Sequence, residues 1–132
     1  MKKVKVIVDG KEVSISEENY ENLKGASTDF MIDVDKEPVL IRANRAGIIC
    51  GNLVSKKSNQ EYAEVVLSNA RRIWHWDGAE SISTLATKGT KKPQNCKFPE
   101  PIEKIEIYGV IEIIPMTKKA VNSINEVELW VE

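Results

Sequence analysis

Residues 102–114 form the most regular pattern in the chain, and this pattern constrains the fold more than any other. Isoleucines alternate there with polar residues: Ile105, Ile107, Ile111 and Ile113 against Lys104, Glu106, Tyr108 and Glu112. Alternation with a period of two predicts a β-strand with one buried and one exposed face. Pro115 lacks a backbone N–H and is predicted to end the strand.

Shorter strands separated by turn residues are predicted along the rest of the chain. They cover residues 3–9, 12–15, 30–34, 39–42, 48–54, 61–67, 71–76 and 127–131. Asp9-Gly10 is typical of a two-residue hairpin turn, and such short connections require antiparallel pairing. Gly51 inside its strand indicates a bulge or a close approach of another backbone. Residues 56–60 and 68–70 are predicted to be turns.

Three short helices are predicted between these strands. Ser16 can cap one over residues 17–23, a second covers 81–88 and ends at Gly89, and Thr117 can cap a third through Ile124. The fold class is therefore α+β and mainly antiparallel β. The predicted architecture is a partly closed barrel or rolled sheet, decorated by about three short helices.

The first 26 residues are predicted to form an element of their own. A hairpin and one short helix are too small to bury a core alone, so residues 1–26 are predicted to be a docking or oligomerisation element. Residues 27–132 are predicted to form a β-rich core domain. Because the hairpin has an edge to satisfy, we expect a homodimer or a larger homo-oligomer.

Charge and hydropathy exclude several classes of protein. The formal net charge of -1 argues against a protein that grips duplex nucleic acid. No apolar run approaches the roughly 18 residues of a membrane helix, and the N-terminus lacks a secretory apolar segment. We therefore expect a cytoplasmic protein with no membrane partner.

The cysteines and the single histidine do not suggest a metal site. Cys50 and Cys96 lie in different segments, with neither a second thiol nor His75 at metal-ligand spacing. Cytosolic cysteines without such partners are predicted to be free, reduced thiols. The sequence predicts neither a metal nor a cofactor.

Residues 71–79 contain the densest group of side chains that could bind a ligand. They include two of the three tryptophans and the only histidine. In an extended strand, Arg72, Trp74 and Trp76 would share one face, which could hold a flat, anionic ligand by stacking and ion pairing. The alternative is that both tryptophans simply fill the core.

Further candidate ligand-binding residues are predicted outside this segment. All four arginines fall between positions 42 and 72, and Arg45 is a candidate for a phosphate contact. Lys91 belongs to a lysine-containing loop that could form the rim of an anion pocket, and Ser81 and Tyr108 complete the candidate set. The alternative is a set of solvated strand ends and loops. No nucleophile elbow, Cys/His pair or phosphate loop is present, so no catalytic residue is predicted.

Several segments resemble a family of small proteins encoded by bacteriophages and prophages, largely of unknown function. The segments are Arg45-Ala46-Gly47-Ile48, residues 70–81 with Trp74-His75-Trp76-Asp77-Gly78, Pro93-Gln94-Asn95-Cys96-Lys97-Phe98, and residues 110–117 ending in Pro115-Met116-Thr117. The resemblance covers roughly residues 40–131. It brings no catalytic residues, and it does not include the N-terminal hairpin and helix.

The resemblance implies a context in the cytoplasm of an infected bacterial host. Small phage proteins that are neither capsid components nor enzymes are often counter-defence factors, and one class sequesters nucleotide immune signals. Together with the tryptophans and arginines, this favours a non-enzymatic protein that binds a cyclic oligonucleotide or a cyclic ADP-ribose type of signal. The alternatives are a protein-binding inhibitor of a host defence enzyme and a single-stranded nucleic-acid-binding module.

Overall fold

The computed structural model describes the backbone of residues 3–8 and 11–16 and the full structure of residues 31–131. Strands β1 (Lys3–Val8) and β2 (Lys11–Ser16) pair antiparallel, with Val8 opposite Lys11. This pairing confirms the predicted N-terminal hairpin. The turn at residues 9–10, the helix over 17–23 and Phe30 lie outside the described residues. The role of the hairpin in oligomer formation stays a prediction.

The remaining four strands form a closed ring. They are β3 (Pro38–Ala43), β4 (Gly47–Ser58), β5 (Ala63–Arg72) and β6 (Ile102–Pro115). Each pairs antiparallel with the next, and β6 returns to pair with β3, so every strand has two neighbours. The mainly antiparallel class is confirmed, and so is the long strand predicted over residues 102–114.

Five predicted strands or turns are wrong in whole or in part within the described residues, and each depended on pairing that local sequence does not reveal. Two segments predicted as turns are parts of strands. Residues 56–58, in the predicted turn 56–60, continue β4 and pair with β5. Residues 68–70 continue β5 and pair with β6. Strand β5 includes Arg71 and Arg72 and ends there, so the predicted strand over 71–76 does not continue through residues 73–76. Residues 127–131 contribute only the bridge between Leu129 and Phe98, and residues 31–34 form no strand. The closed ring leaves no strand edge free for these segments.

Gly51 lies where β4 and β5 come unusually close. The register of the two strands shifts between Cys50 and Asn52, as expected for a bulge. A Cβ atom at Gly51 would lie 2.9 Å from the Ser68 carbonyl oxygen and 3.1 Å from Ala70 Cα. Only glycine fits without movement of a backbone, which confirms the prediction made for this position.

The predicted faces of β6 need one correction. Ile107 is buried as expected, but Ile111 is 41% exposed and Val110 is buried instead. The cause is a bulge opposite β5: Val65 pairs with Ile107 and Ala63 pairs with Val110, so three steps along β6 match two along β5. This extra residue exchanges the two faces of β6. A second bulge opposite β3, where Arg42 pairs with Glu112 and Ala43 with Val110, returns Ile113 to the core side.

Two α-helices pack against the ring in the part of the chain that the structure describes, rather than about three. Helix α1 is Ile82–Lys88, and Ser81 Oγ caps it by accepting from Thr84 N. Helix α2 is Lys118–Asn125, and Thr117 Oγ1 caps it by accepting from Ala120 N. Both elements match the sequence prediction, because capping residues and apolar spacing are local signals.

The ring is apolar on both sides, and this divides the core in two. Val39, Ile41 and Ile49 belong to a cluster formed by the strands alone. Leu40 and Cys50, which alternate with them, face a second cluster formed with α1, α2 and Phe98. Both cysteines are free thiols, as predicted. Burial raises the pKa of the Cys50 thiol to about 12, so this thiol is neutral and unreactive near pH 7.

Candidate functional site

Arg71 lies in the core rather than at a ligand site. It is buried, and its NH1 group donates to the Ile124 carbonyl at 3.1 Å and to the Val127 carbonyl at 2.8 Å. The guanidinium carbon also lies 5.2 Å from the centre of the Phe98 ring. Desolvation lowers the pKa of Arg71 from its ordinary value, but an arginine stays charged at any physiological pH. Arg71 therefore joins the end of α2 to the ring.

Trp74 lies on the surface and stacks on a residue from the far end of the chain. It is 61% exposed, and its ring is parallel to that of Trp130 within 4°, with 5.2 Å between the ring centres. Lys97 Nζ lies 5.3 Å and 5.5 Å from the two ring centres. We call Trp74, Trp130 and Lys97 the tryptophan pair with its lysine.

Trp76 has a different environment, so the predicted common face of Arg72, Trp74 and Trp76 is not formed. Its ring is half-buried against the helix-side core, and its Nε1–H donates to the Ala79 carbonyl at 3.2 Å. The chain leaves the ring after Arg72, and the backbone N–H groups of Trp74 and His75 both donate to the Lys97 carbonyl. Regular alternation of side chains is lost where the strand ends.

Trp74 and Trp76 are expected to differ in their contribution to stability. Trp74→Ala removes an exposed stacked pair and is expected to lower the free energy of unfolding by about 0.5 to 1.5 kcal/mol. Trp76→Ala removes a ring packed on the core and is expected to cost about 3 kcal/mol. Urea denaturation followed by far-UV circular dichroism measures both. Equal losses would contradict the different environments of the two rings.

Three of the predicted ligand-binding residues come together in one cleft. Arg45, Arg72 and Tyr108 line a cleft of about 420 Å³, together with Tyr62 and the apolar side chains of β6. Sequence reasoning missed Tyr62, because only the pairing of Ala63 with Val110 brings it beside Tyr108 and Gly109. We call this the tyrosine–arginine cleft.

The polar groups of the tyrosine–arginine cleft are partly engaged with one another. Arg72 NH1 donates to the Ala46 carbonyl at 2.6 Å, which fixes the guanidinium against the turn between β3 and β4. Tyr108 Oη donates to Glu106 Oε2 at 2.9 Å, and this bond, with the charge of Glu106, raises the pKa of Tyr108. Tyr108 is therefore neutral at physiological pH. The cleft carries two guanidinium groups and one carboxylate.

Lys91 lines a second cleft, of about 600 Å³, between α1, the loop that follows it and α2. Four lysines surround it, together with two carboxylates and three hydroxyl groups: Lys88, Lys91, Lys92, Lys119, Asp77, Glu80, Thr84, Thr90 and Ser123. We call it the lysine cleft. Ser81, the remaining candidate, does not line it and instead caps α1. Neither Trp74 nor Trp76 lines either of these clefts, and their role in ligand binding stays a prediction.

A comparison with known families accounts for most of the chain. The model of a family described as a domain of unknown function, DUF6948, matches residues 36–124. The chain belongs to the DUF6948 family. The matched range contains the closed ring, α1, most of α2 and both clefts of the DUF6948 domain. No curated protein and no solved structure matched the chain.

The described part of the DUF6948 protein contains neither a membrane-crossing helix nor a cluster of metal ligands. Neither α1 nor α2 has the length and the apolar run that a membrane crossing by a helix requires. Among residues with described side chains, no three His, Cys, Asp or Glu groups are placed to hold a metal ion together.

Proposed function

We propose that this DUF6948 protein is a non-enzymatic binder of a nucleotide-type ligand, and that the tyrosine–arginine cleft is its binding site. The observation that carries the proposal is the convergence of two arginines and two tyrosines from four separate segments of the chain. A nucleotide combines a flat base with an anionic phosphate, and these four side chains offer partners for both.

The tyrosines are suited to the base. Tyr108 is 61% exposed, so its ring face is available to a ligand. Its hydroxyl donates to Glu106, which fixes the orientation of the ring. Stacking of a base on an aromatic ring is worth on the order of 1 to 3 kcal/mol. Ile105, which is half-buried, adds an apolar side chain that the same base could contact.

The arginines are suited to the phosphate. Arg45 is exposed and enters no salt bridge among residues 31–131, where the two salt bridges are Lys36–Asp33 and Arg42–Glu112. Arg72 uses NH1 on the Ala46 carbonyl, and no other described hydrogen bond occupies its remaining donors. A guanidinium has five N–H donors, so both arginines can contact a phosphate.

Sequestration of a nucleotide immune signal during phage infection is the biological role that we propose for this binding. It rests on the resemblance to phage-encoded proteins together with the cleft. A cytoplasmic location in the bacterial host and a homo-oligomeric assembly, held together through residues 1–26, are parts of the same proposal. A binder that sequesters its ligand returns it unchanged, so denaturing the complex should release an intact nucleotide.

The binding site is tested by substitutions after a thermal-shift screen against cyclic di- and trinucleotides and cyclic ADP-ribose variants. Against any stabilising ligand, Tyr108→Ala is expected to weaken binding about tenfold or more, and Tyr108→Phe less than twofold, because phenylalanine keeps the ring. Arg45→Ala is expected to weaken binding and to reduce its dependence on salt. Isothermal titration calorimetry measures both effects.

Arg42 provides the matched control for Arg45. It is also an exposed arginine, but it lies on β3 and pairs with Glu112 outside the cleft. Arg42→Ala is expected to bind as the wild type does. If Arg45→Ala and Tyr108→Ala also bind normally, the site is elsewhere. Recovery of a chemically altered ligand would replace the binding function with an enzymatic one.

The tryptophan pair with its lysine supports a second candidate function, that of a protein-binding inhibitor of a host enzyme. Trp74 is 61% exposed, and Leu129 and Val131 beside Trp130 in the chain are 47% and 73% exposed. Tryptophan is enriched among the residues that dominate protein–protein affinity. Capture of one host enzyme by the wild type, lost in Trp74→Ala but retained in Tyr108→Ala, would favour this function over nucleotide binding.

A further inference from the structure

We propose that the lysine cleft is a second, independent anion site, and that its ligand is a small molecule carrying two or more phosphate groups. Four ammonium groups from three segments meet there: Lys88 at the end of α1, Lys91 and Lys92 in the following loop, and Lys119 in α2. This site shares no residue with the tyrosine–arginine cleft.

The walls of the lysine cleft are held in place by hydrogen bonds. Thr90 N donates to Ser123 Oγ at 2.9 Å, and the same hydroxyl donates to the Thr90 carbonyl, which joins the loop to α2. On the opposite side, Lys91 N donates to the Gly78 carbonyl at 3.1 Å. Because the backbone is fixed on both sides, the lysines are brought together without a ligand, and binding does not have to order the loop.

The positive charge of the lysine cleft is only partly neutralised from within, because four ammonium groups face two carboxylates. Among residues 31–131, none of the four lysines takes part in a salt bridge. Of the two carboxylates, Asp77 accepts from Asn95 Nδ2 at 2.9 Å and from Gly78 N at 2.8 Å, and Glu80 is exposed on the rim. An anion between the lysines would relieve their mutual repulsion and gain charge-assisted hydrogen bonds.

The lining of the cleft decides the class of anion. No aromatic side chain lines it, so it offers no stacking surface to a nucleobase. Its side chains are mostly ammonium and hydroxyl groups, which suit phosphate oxygens. The lysines come from three segments around a volume of about 600 Å³, which is much larger than a single phosphate group fills. This volume is that of a small-molecule site rather than of an extended nucleic-acid track.

The test uses inorganic tripolyphosphate as the probe and isothermal titration calorimetry as the measurement. The double variant Lys88→Gln/Lys119→Gln removes one ammonium group from each helix. It is expected to weaken tripolyphosphate binding at least tenfold and to reduce the dependence of affinity on salt. Lys88→Arg/Lys119→Arg keeps both charges and is expected to bind within about threefold of the wild type.

The control variant is Lys56→Gln/Lys104→Gln, which makes the same change in net charge at two exposed lysines on strands β4 and β6. It is expected to bind as the wild type does. Equal weakening in the two glutamine variants would show diffuse attraction to a charged surface and overturn the proposal. So would the absence of binding at millimolar tripolyphosphate, or equal affinity for orthophosphate.

Two further measurements separate this site from other anion partners. Arg42→Ala removes an exposed arginine that lies outside both clefts, and it is expected to leave tripolyphosphate binding unchanged. A single-stranded oligonucleotide that binds the same lysines more tightly than tripolyphosphate would identify nucleic acid as the partner and overturn the assignment to a small molecule.

Discussion

Arg71→Met is expected to lower the free energy of unfolding by about 3 kcal/mol. Methionine keeps much of the volume of the side chain but removes both bonds to the carbonyl groups of Ile124 and Val127. Hydrogen bonds to a charged group are worth about 1.5 to 3 kcal/mol each. Part of the loss is offset, because the buried guanidinium, whose Nε has no partner among the described residues, no longer has to be desolvated.

The control for this substitution is Arg42→Met. Arg42 also forms a short ion pair, at 2.6 Å to Glu112, but both side chains of the pair are close to half exposed. Surface ion pairs contribute about 0 to 1 kcal/mol, so this change is expected to be small. Urea denaturation of the three proteins gives the comparison. Equal midpoints for the two variants would mean that Arg71 does not hold α2 on the ring.

Gly89→Ala is expected to be the second strongly destabilising change, at about 3 to 5 kcal/mol. Gly89 ends α1 with φ 77° and ψ -154°, a combination essentially restricted to glycine. An added Cβ would also lie 2.3 Å from both Cβ and Oγ of Ser123, so α1 and α2 would have to separate. The backbone strain and the overpacking each cost about 1 to 3 kcal/mol.

Gly47→Ala isolates the contribution of the backbone. Gly47 has φ 83°, but no heavy atom lies within 4 Å of the position that its Cβ would occupy. The loss expected there is about 1 to 2 kcal/mol, from the left-handed backbone alone. Thermal and urea denaturation measure both variants. If the two losses are equal, the close approach of Ser123 to Gly89 adds no cost beyond that of the backbone.

Elements marked by local signals were predictable from the sequence. Thr117 and Ser81 have side chains that cap the helices following them, and both helices were predicted within a residue of their observed ends. The alternation in residues 102–114 likewise predicted β6, and the position of Gly51 predicted its bulge. Such signals act over a few residues and do not depend on what packs against them.

The candidate site was only partly predictable, because its members are joined by pairing across the sheet. Arg45, Arg72 and Tyr108 were singled out one by one for their chemistry, and the ring places them in one cleft. Tyr62 has no local feature that marks it. The grouping of Lys119 with Lys91 depends on the packing of α2 against the loop after α1, about which the sequence pattern carries no information.

The sequence by itself determined the antiparallel class of this DUF6948 domain, its longest strand and its capped helices, since hydrophobic period and capping residues are properties of short segments. The tertiary structure decided the rest. Residues 71–76 alternate as a strand would, yet β5 ends at Arg72 because the chain there leaves the ring. Arg71, still within β5, is buried against the end of α2. The departure after it sends Trp74 to the surface against Trp130, a residue 56 positions away whose approach no local pattern encodes.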